Sequence, residues 1–185
     1  MDFKKTIEAH EQAVAALKEN CLPELGKMAE ICRQAIKNDH KILLCGNGGS
    51  AADSQHISAE FVGRFVKERQ GLPSIALTTD TSILTAIGND YGYDEVFRRQ
   101  VEALGREGDV LIGISTSGNS GNIVKAFEQA KKQGVKTLAL TGQKDSKMSA
   151  LADVTLKVPA PVTARVQECH IMVGHMICEY IDEEY

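Results

Sequence analysis

A histidine and a glutamate stand four residues apart in HISAEF, positions 56–61, within a stretch otherwise made of alanine, serine and large apolar residues. On a helix that spacing puts both side chains on one face, where the contact alone would contribute roughly 0.2–0.5 kcal/mol. The neighbours suggest more than an ion pair. At about 100° per residue, His56 and Glu60 lie some 40° apart, and Ala52, Ala59 and Gly63 share their side, while Ile57, Phe61 and Phe65 point elsewhere. A face cleared of bulk leaves room for a ligand or for another chain's backbone. A second polar set occurs in the segment 163–182. There Val166, Val173, Ile177 and Ile181 form an apolar stripe that includes His170, which reads as a hydrogen-bonded core or interface residue. Gln167 and His175 lie off that stripe, about 80° apart on one flank. His56, Glu60, Gln167 and His175 are therefore candidate N/O ligands for a divalent metal, or an acid/base pair with a polar helper.

Two further stretches have the chemistry of anion and hydroxyl binding. In CGNGGSAAD, 45–53, the glycines permit positive φ and close backbone approach, and Ser50 is placed to cap the helix that follows. The same stretch matches G-x-G-x-x-A at Gly46, Gly48 and Ala51. A dinucleotide site would also need an acidic residue about 20 positions on, and Asp80 lies farther away than that. In ISTSGNSGN, 114–122, Ser115, Thr116, Ser117 and Ser120 offer four hydroxyls just before a helix expected to begin at about Asn119. Unpaired N–H groups and the positive end of a helix dipole suit a dianionic phosphate monoester. No G-K-[ST] follows, which excludes a Walker nucleotide loop.

These residues need a scaffold, and the rest of the chain describes one. Residues 3–38 have helical apolar spacing broken near Leu22-Pro23, which predicts two helices, the second starting at or just after the proline. Short apolar runs follow at 41–45, 74–78, 109–115, 136–141 and 154–159, with helix-length segments between them. Strands that read as continuous apolar runs and alternate with helices predict a doubly wound, five-stranded parallel sheet in an α/β fold. The expected organisation is one domain over 1–185, a helical arm at 1–38 and an α/β core at 39–185. Open sheets of this kind bind ligands beyond the carboxyl ends of their strands, where both loops fall. The last helix is apolar over so much of its circumference that cover from a partner subunit is expected.

Composition narrows the function classes. The chain has 185 residues, 43% of them hydrophobic, enough to bury a core without covalent staples. Its formal charge of -4, with no lysine or arginine run, lacks the footprint of a nucleic-acid binder. Five cysteines without a C-x-x-C pair suggest reduced thiols and a cytoplasmic protein. Neither a signal peptide nor a membrane span is expected.

The motifs CGNGGSAAD, HISAEFVGRF, IGNDYG, GREGDVLIGISTSGNSGN and RVQECHIMVGH together resemble the phosphoheptose isomerase family of the sugar-isomerase (SIS) domain superfamily, over essentially the whole chain. The resemblance implies a flavodoxin-like SIS fold and interconversion of sedoheptulose 7-phosphate with D-glycero-D-manno-heptose 7-phosphate, toward bacterial lipopolysaccharide heptose. It implies Glu60 and His175 as the acid/base pair, and one Zn2+ per subunit on His56, Glu60, Gln167 and His175. Asn47, Gly48, Gly49, Glu60, Asn89, Asp90, Ser115, Thr116, Ser117, Ser120 and Gln167 become substrate contacts, with those of 160–164 left open. No nucleotide cofactor is implied, and the family is homotetrameric with active sites at subunit interfaces. Two rivals remain at this point: a non-catalytic SIS protein that binds a replication initiator, and an isomerase of another phosphosugar. The initiator-binding relatives replace the acid and the imidazole that this chain keeps.

Overall fold

A computed structural model describes residues 2–185. Two helices lead: α1 (Phe3–Asn20), capped by the Asp2 carboxylate accepting from Lys4 N and Lys5 N, and α2 (Leu22–Lys37). Pro23 lies in the first turn of α2, where its missing N–H costs nothing; the helix thus begins one residue earlier than expected. Then follow β1 (Ile42–Gly46), α3 (Gly49–Val62), β2 (Ser74–Ala76), α4 (Thr81–Tyr91), a 3₁₀ turn (Tyr93–Glu95) and α5 (Val96–Leu104). The chain closes with β3 (Val110–Ser115), α6 (Gly121–Lys132), β4 (Lys136–Gly142), α7 (Lys147–Leu151), β5 (Val154–Val158) and α8 (Thr163–Asp182).

The strands form one five-stranded sheet in the order β2-β1-β3-β4-β5, every pairing parallel. The expected fold class is thus present, and each expected strand is found within two residues of its bounds. Every residue of β1 and β3 is buried, as central parallel strands covered on both faces must be. Alternation divides them between two cores. Ile42, Leu44, Ile112 and Ile114 face α1, α2, α3 and α8, while Leu43, Cys45 and Leu111 face α5 and α6. Strand order reverses at β1/β3, so the crevice between their carboxyl ends is the topological switch point. The loops 46–49 and 115–121 flank it.

Val166, Val173, Ile177 and Ile181 of α8 join the core that α1, α2 and α3 contribute to, while Ile171, Met172 and Met176 on its flanks are only partly buried. Exposed large hydrophobic side chains include Phe3 and Ile7 on α1, Ile83 and Tyr91 on α4, a helix with no buried residue, and Tyr180 on α8 itself. All five cysteines are free and buried. Among the described residues no helix is long and apolar enough to cross a membrane.

Candidate active site

Helices α3 and α8 lie against one another, and one glycine sets how closely. A Cβ at Gly174 would come within 2.5 Å of the Ile57 side chain, so only glycine lets α8 approach this near. The next residue, His175, then meets the preceding one, His56. Their Nε2 atoms are 2.9 Å apart, a distance at which one imidazole donates to the other. Glu60 Oε1 stands 3.3 Å from His56 Nε2. One donor atom from each of His56, Glu60 and His175 falls within 4.8 Å of the others. The His56 side chain is half exposed, so this triad opens outward rather than into the core. Two imidazole nitrogens and a carboxylate suit a zinc-like divalent ion with a coordination position left open.

Gln167 does not join them within the chain. Its amide lies against Gly49, 2.9 Å from where a Cβ would stand. Eight residues of α8 separate it from His175, a rise of about 12 Å. Of the four residues expected as a ligand set, His56, Glu60 and His175 come together within one chain, and Gln167 lies toward the other end of the α3/α8 contact. Phe65 is a second difference. Helix α3 ends at Val62, so helical extrapolation fails there, and the Phe65 ring lies 5.6 Å from the His175 ring. Ile57 and Phe61 are buried in the core as expected, and Arg64 is exposed, bonded to the Val66 carbonyl and near Glu68. Asp53, one turn before His56, buries Oδ2 without a hydrogen-bond partner. That burial raises its pKa, opposed by the charge of His56.

The second half of the site lies at the switch point. Gly48, with φ +57°, turns the chain out of β1 and is itself the N-cap of α3. Ser50, expected as the cap, is inside the first turn and buried, because helix formation begins at Gly49. At the end of β3 the hydroxyls of Ser115 and Ser120 are 3.0 Å apart and those of Ser115 and Ser117 3.4 Å. Ser115 Oγ also accepts from Gly118 N, and Ser117 Oγ from Asn119 N. Ser120 is the N-cap of α6 but makes no side-chain cap bond, so its hydroxyl stays with the loop. Thr116, Ser117 and Asn119 line a cavity of about 320 Å³ together with Gly142, Lys144 and Thr163. None of His56, Glu60 and His175 lines it. Asn89 and Asp90 are exposed near the end of α4, bonded to each other at 2.9 Å.

Sequence reasoning missed the residues that tie these loops together. Asn122, 2% exposed in the first turn of α6, pairs with Asn47 across the crevice, and the Tyr93 hydroxyl donates to Asn47 Oδ1. Asn122 closes the quoted serine-rich stretch, which was its only signal. It missed Arg69 and Asp182 as well. Arg69 donates to the carbonyl oxygens of Glu60 and Phe61 and pairs with Asp182 at 2.6 Å, fixing the end of α3 to the end of α8.

A parallel sheet with a hydroxyl-lined anion loop at its switch point and an imidazole–carboxylate cluster on an adjoining helix pair is the plan of a sugar-phosphate domain. The SIS domain family model matches residues 6–142, and the chain belongs to the SIS domain family. Within it, the similarity is to phosphoheptose isomerases. That of Aliarcobacter butzleri is 56% identical over 180 residues, covering 97% of this chain and 95% of the relative. That of Nitratiruptor is 60% identical over 155 residues, covering 84% and 83%. Among solved structures, the phosphoheptose isomerase of Francisella tularensis superposes with a TM-score of 0.95 at 36% identity, covering 98% of this chain and 96% of that one.

Proposed function

We propose that this chain, acting as one SIS unit over 1–185, is an aldose–ketose isomerase that interconverts sedoheptulose 7-phosphate and D-glycero-D-manno-heptose 7-phosphate in heptose biosynthesis. The observation that carries the reading is the meeting of Glu60 and His175, from helices far apart in sequence, within 4.8 Å. The reaction moves a proton between C1 and C2 through a cis-enediol. In this reading the Glu60 carboxylate removes the proton from one carbon and returns it to the other. His175 moves the proton between the two oxygens. The phosphate is held by the hydroxyls of Ser115, Thr116, Ser117 and Ser120 with the open N-terminus of α6. Asn47, Gly48, Gly49, Asn89 and Asp90 contact the sugar.

A zinc ion would be held by His56, Glu60 and His175, where it would polarise the substrate carbonyl. Gln167, about two turns of α8 from His175, would complete that set only from a second copy. The same offset supports active sites between subunits, and we take the assembly to be the homotetramer that the family resemblance implies. Along α3, His56 and Glu60 lie about 10 and 16 Å of helix rise from Gly49, and neither lines the cavity beside the hydroxyl loop. We place the enzyme in the cytoplasm, supplying precursors of lipopolysaccharide heptose. A purely initiator-binding role has no use for a converged acid and imidazole.

Turnover of Glu60→Gln and His175→Ala tests the reading, with sedoheptulose 7-phosphate, fructose 6-phosphate and ribulose 5-phosphate offered in parallel. Each substitution is expected to lower kcat about 10²–10⁴-fold, with the seven-carbon ketose the preferred substrate. Near-normal activity in either variant removes that residue from the mechanism, and preference for a shorter sugar removes the substrate assignment.

A further inference from the structure

Asn47 and Asn122 form a reciprocal amide pair. Asn47 Nδ2 donates to Asn122 Oδ1 at 3.0 Å, and Asn122 Nδ2 donates to Asn47 Oδ1 at 2.9 Å. The pair bridges the β1/β3 crevice at the switch point, joining the glycine turn after β1 to the first turn of α6. The Tyr93 hydroxyl donates to the same Asn47 oxygen at 3.3 Å. Tyr93 belongs to a turn that is itself fastened to α6. The Asp94 carboxylate stands 2.8 Å from the place a Cβ of Gly121 would take, and Glu95 accepts from Lys125 at 2.8 Å. The glycine turn, the 3₁₀ turn that follows α4 and the first turn of α6 after the hydroxyl loop are thus joined at one side-chain oxygen.

The chemistry of that oxygen limits what Asn47 can do. An amide oxygen has two acceptor positions, and here both are taken. One of the two Nδ2 hydrogens is taken as well. The side chain of Asn47 is committed to protein, and what the turn still presents to an anion is its backbone N–H groups and one amide hydrogen. Asn122 is buried, so its polar atoms carry the full penalty of an unsatisfied group if the pair is broken.

We infer that Asn122 and Tyr93 are positioning residues of the phosphosugar site: they clamp Asn47 so that the glycine turn and the hydroxyl loop keep the spacing one phosphosugar needs. This rests on the isomerase reading for the sugar, and only on a phosphate-binding switch point for the clamp itself. Geometry set before the ligand arrives shifts binding more than the proton transfer, because Glu60 and His175 lie on other elements.

The test is a double-mutant cycle on Asn47→Ala and Asn122→Ala, read by calorimetric titration with inorganic phosphate and by KM and kcat for sedoheptulose 7-phosphate. Each single variant is expected to weaken phosphate binding and raise KM about tenfold, with a smaller change in kcat. The double variant is expected to lose no more than Asn47→Ala alone, since Asn122 acts only through Asn47. Losses that multiply to about a hundredfold, or an Asn122→Ala protein that binds phosphate like the wild type, overturn the inference. Tyr93 is 59% exposed, so Tyr93→Phe keeps the cycle readable should Asn122→Ala not fold. Its expected two- to threefold rise in KM must vanish in the Asn47→Ala background, and persistence there overturns the clamp. The phosphate titration needs no turnover. A wild-type protein that binds phosphate but converts no sugar would remove the isomerase reading and leave the clamp still to be judged by its own cycle.

Discussion

His170 shows how a single side chain can be legible in kind and illegible in consequence. Its place in the apolar stripe of the last helix gave its burial, and it is 1% exposed. Its partner is the carbonyl oxygen of Thr141 at 3.1 Å, so Nε2 carries the proton, while Nδ1 is buried without a partner. No spacing rule reaches from α8 to the end of β4, and that bond could not be read from the sequence. Burial pushes the His170 pKa down from 6.5 to about 4, with the Thr141 carbonyl opposing the shift in part. The unfolded chain therefore takes up a proton below pH 6.5 that the folded chain refuses until pH falls to about 4. Stability drops as pH falls through that window, by about 3 kcal/mol from this group. Urea unfolding at pH 7.5 and pH 5 should show a steeper loss in the wild type than in His170→Gln, which keeps a donor for Thr141 without the titration. Equal losses would assign the pH dependence to other groups.

The elements were the most legible part of the chain, for a physical reason. Strands buried on both faces must be short unbroken apolar runs, and KILLC and DVLIGIS cannot be read otherwise in a chain of this size. Where an element ends is decided by tertiary partners, which is why Ser50 and Phe65 were misplaced. The end of α3 is held by Arg69, from a loop with no periodicity, and by Asp182, at the far end of α8; both are almost fully buried. Burial alone would raise the Asp182 pKa, but the Lys67 N–H, the Arg69 guanidinium and the Val66 N–H outweigh it and hold the carboxyl below its usual range. Its contribution is present above about pH 4 and is lost as pH falls through the folded pKa. Arg69→Met leaves a buried charge unpaired and should cost about 3–5 kcal/mol near neutral pH. Without the guanidinium the folded pKa rises relative to the wild type's, so protonation costs the variant less than it costs the wild type. The stability gap between wild type and Arg69→Met should narrow as pH is lowered from 6 toward 3. A gap independent of pH would mean that the two residues act by packing alone.

For the proposed site, the open question is whether one chain completes it. The hydroxyl loop at the end of β3 and the His56, Glu60 and His175 cluster are both well formed, yet the cluster does not line the cavity beside that loop, and it faces outward with His56 half exposed. The sequence pointed to the acid, the imidazole and the hydroxyl loop but could not tell whether they meet within a chain, because helical phase fixes a face and not a neighbour. If each active site takes its hydroxyl loop from one copy and its triad from another, two inactive variants should repair each other. Glu60→Gln keeps an intact loop, and the double variant Ser115→Ala/Ser120→Ala keeps an intact triad. Unfolded together and refolded at equal concentration, they would form sites at random, of which half have an intact loop and half of those an intact triad. About a quarter of wild-type turnover should return, although neither variant has it alone. Sites complete within one chain would give no more than the mean of the two parents, and that outcome would end the shared-site account while leaving the chemistry of Glu60 and His175 intact.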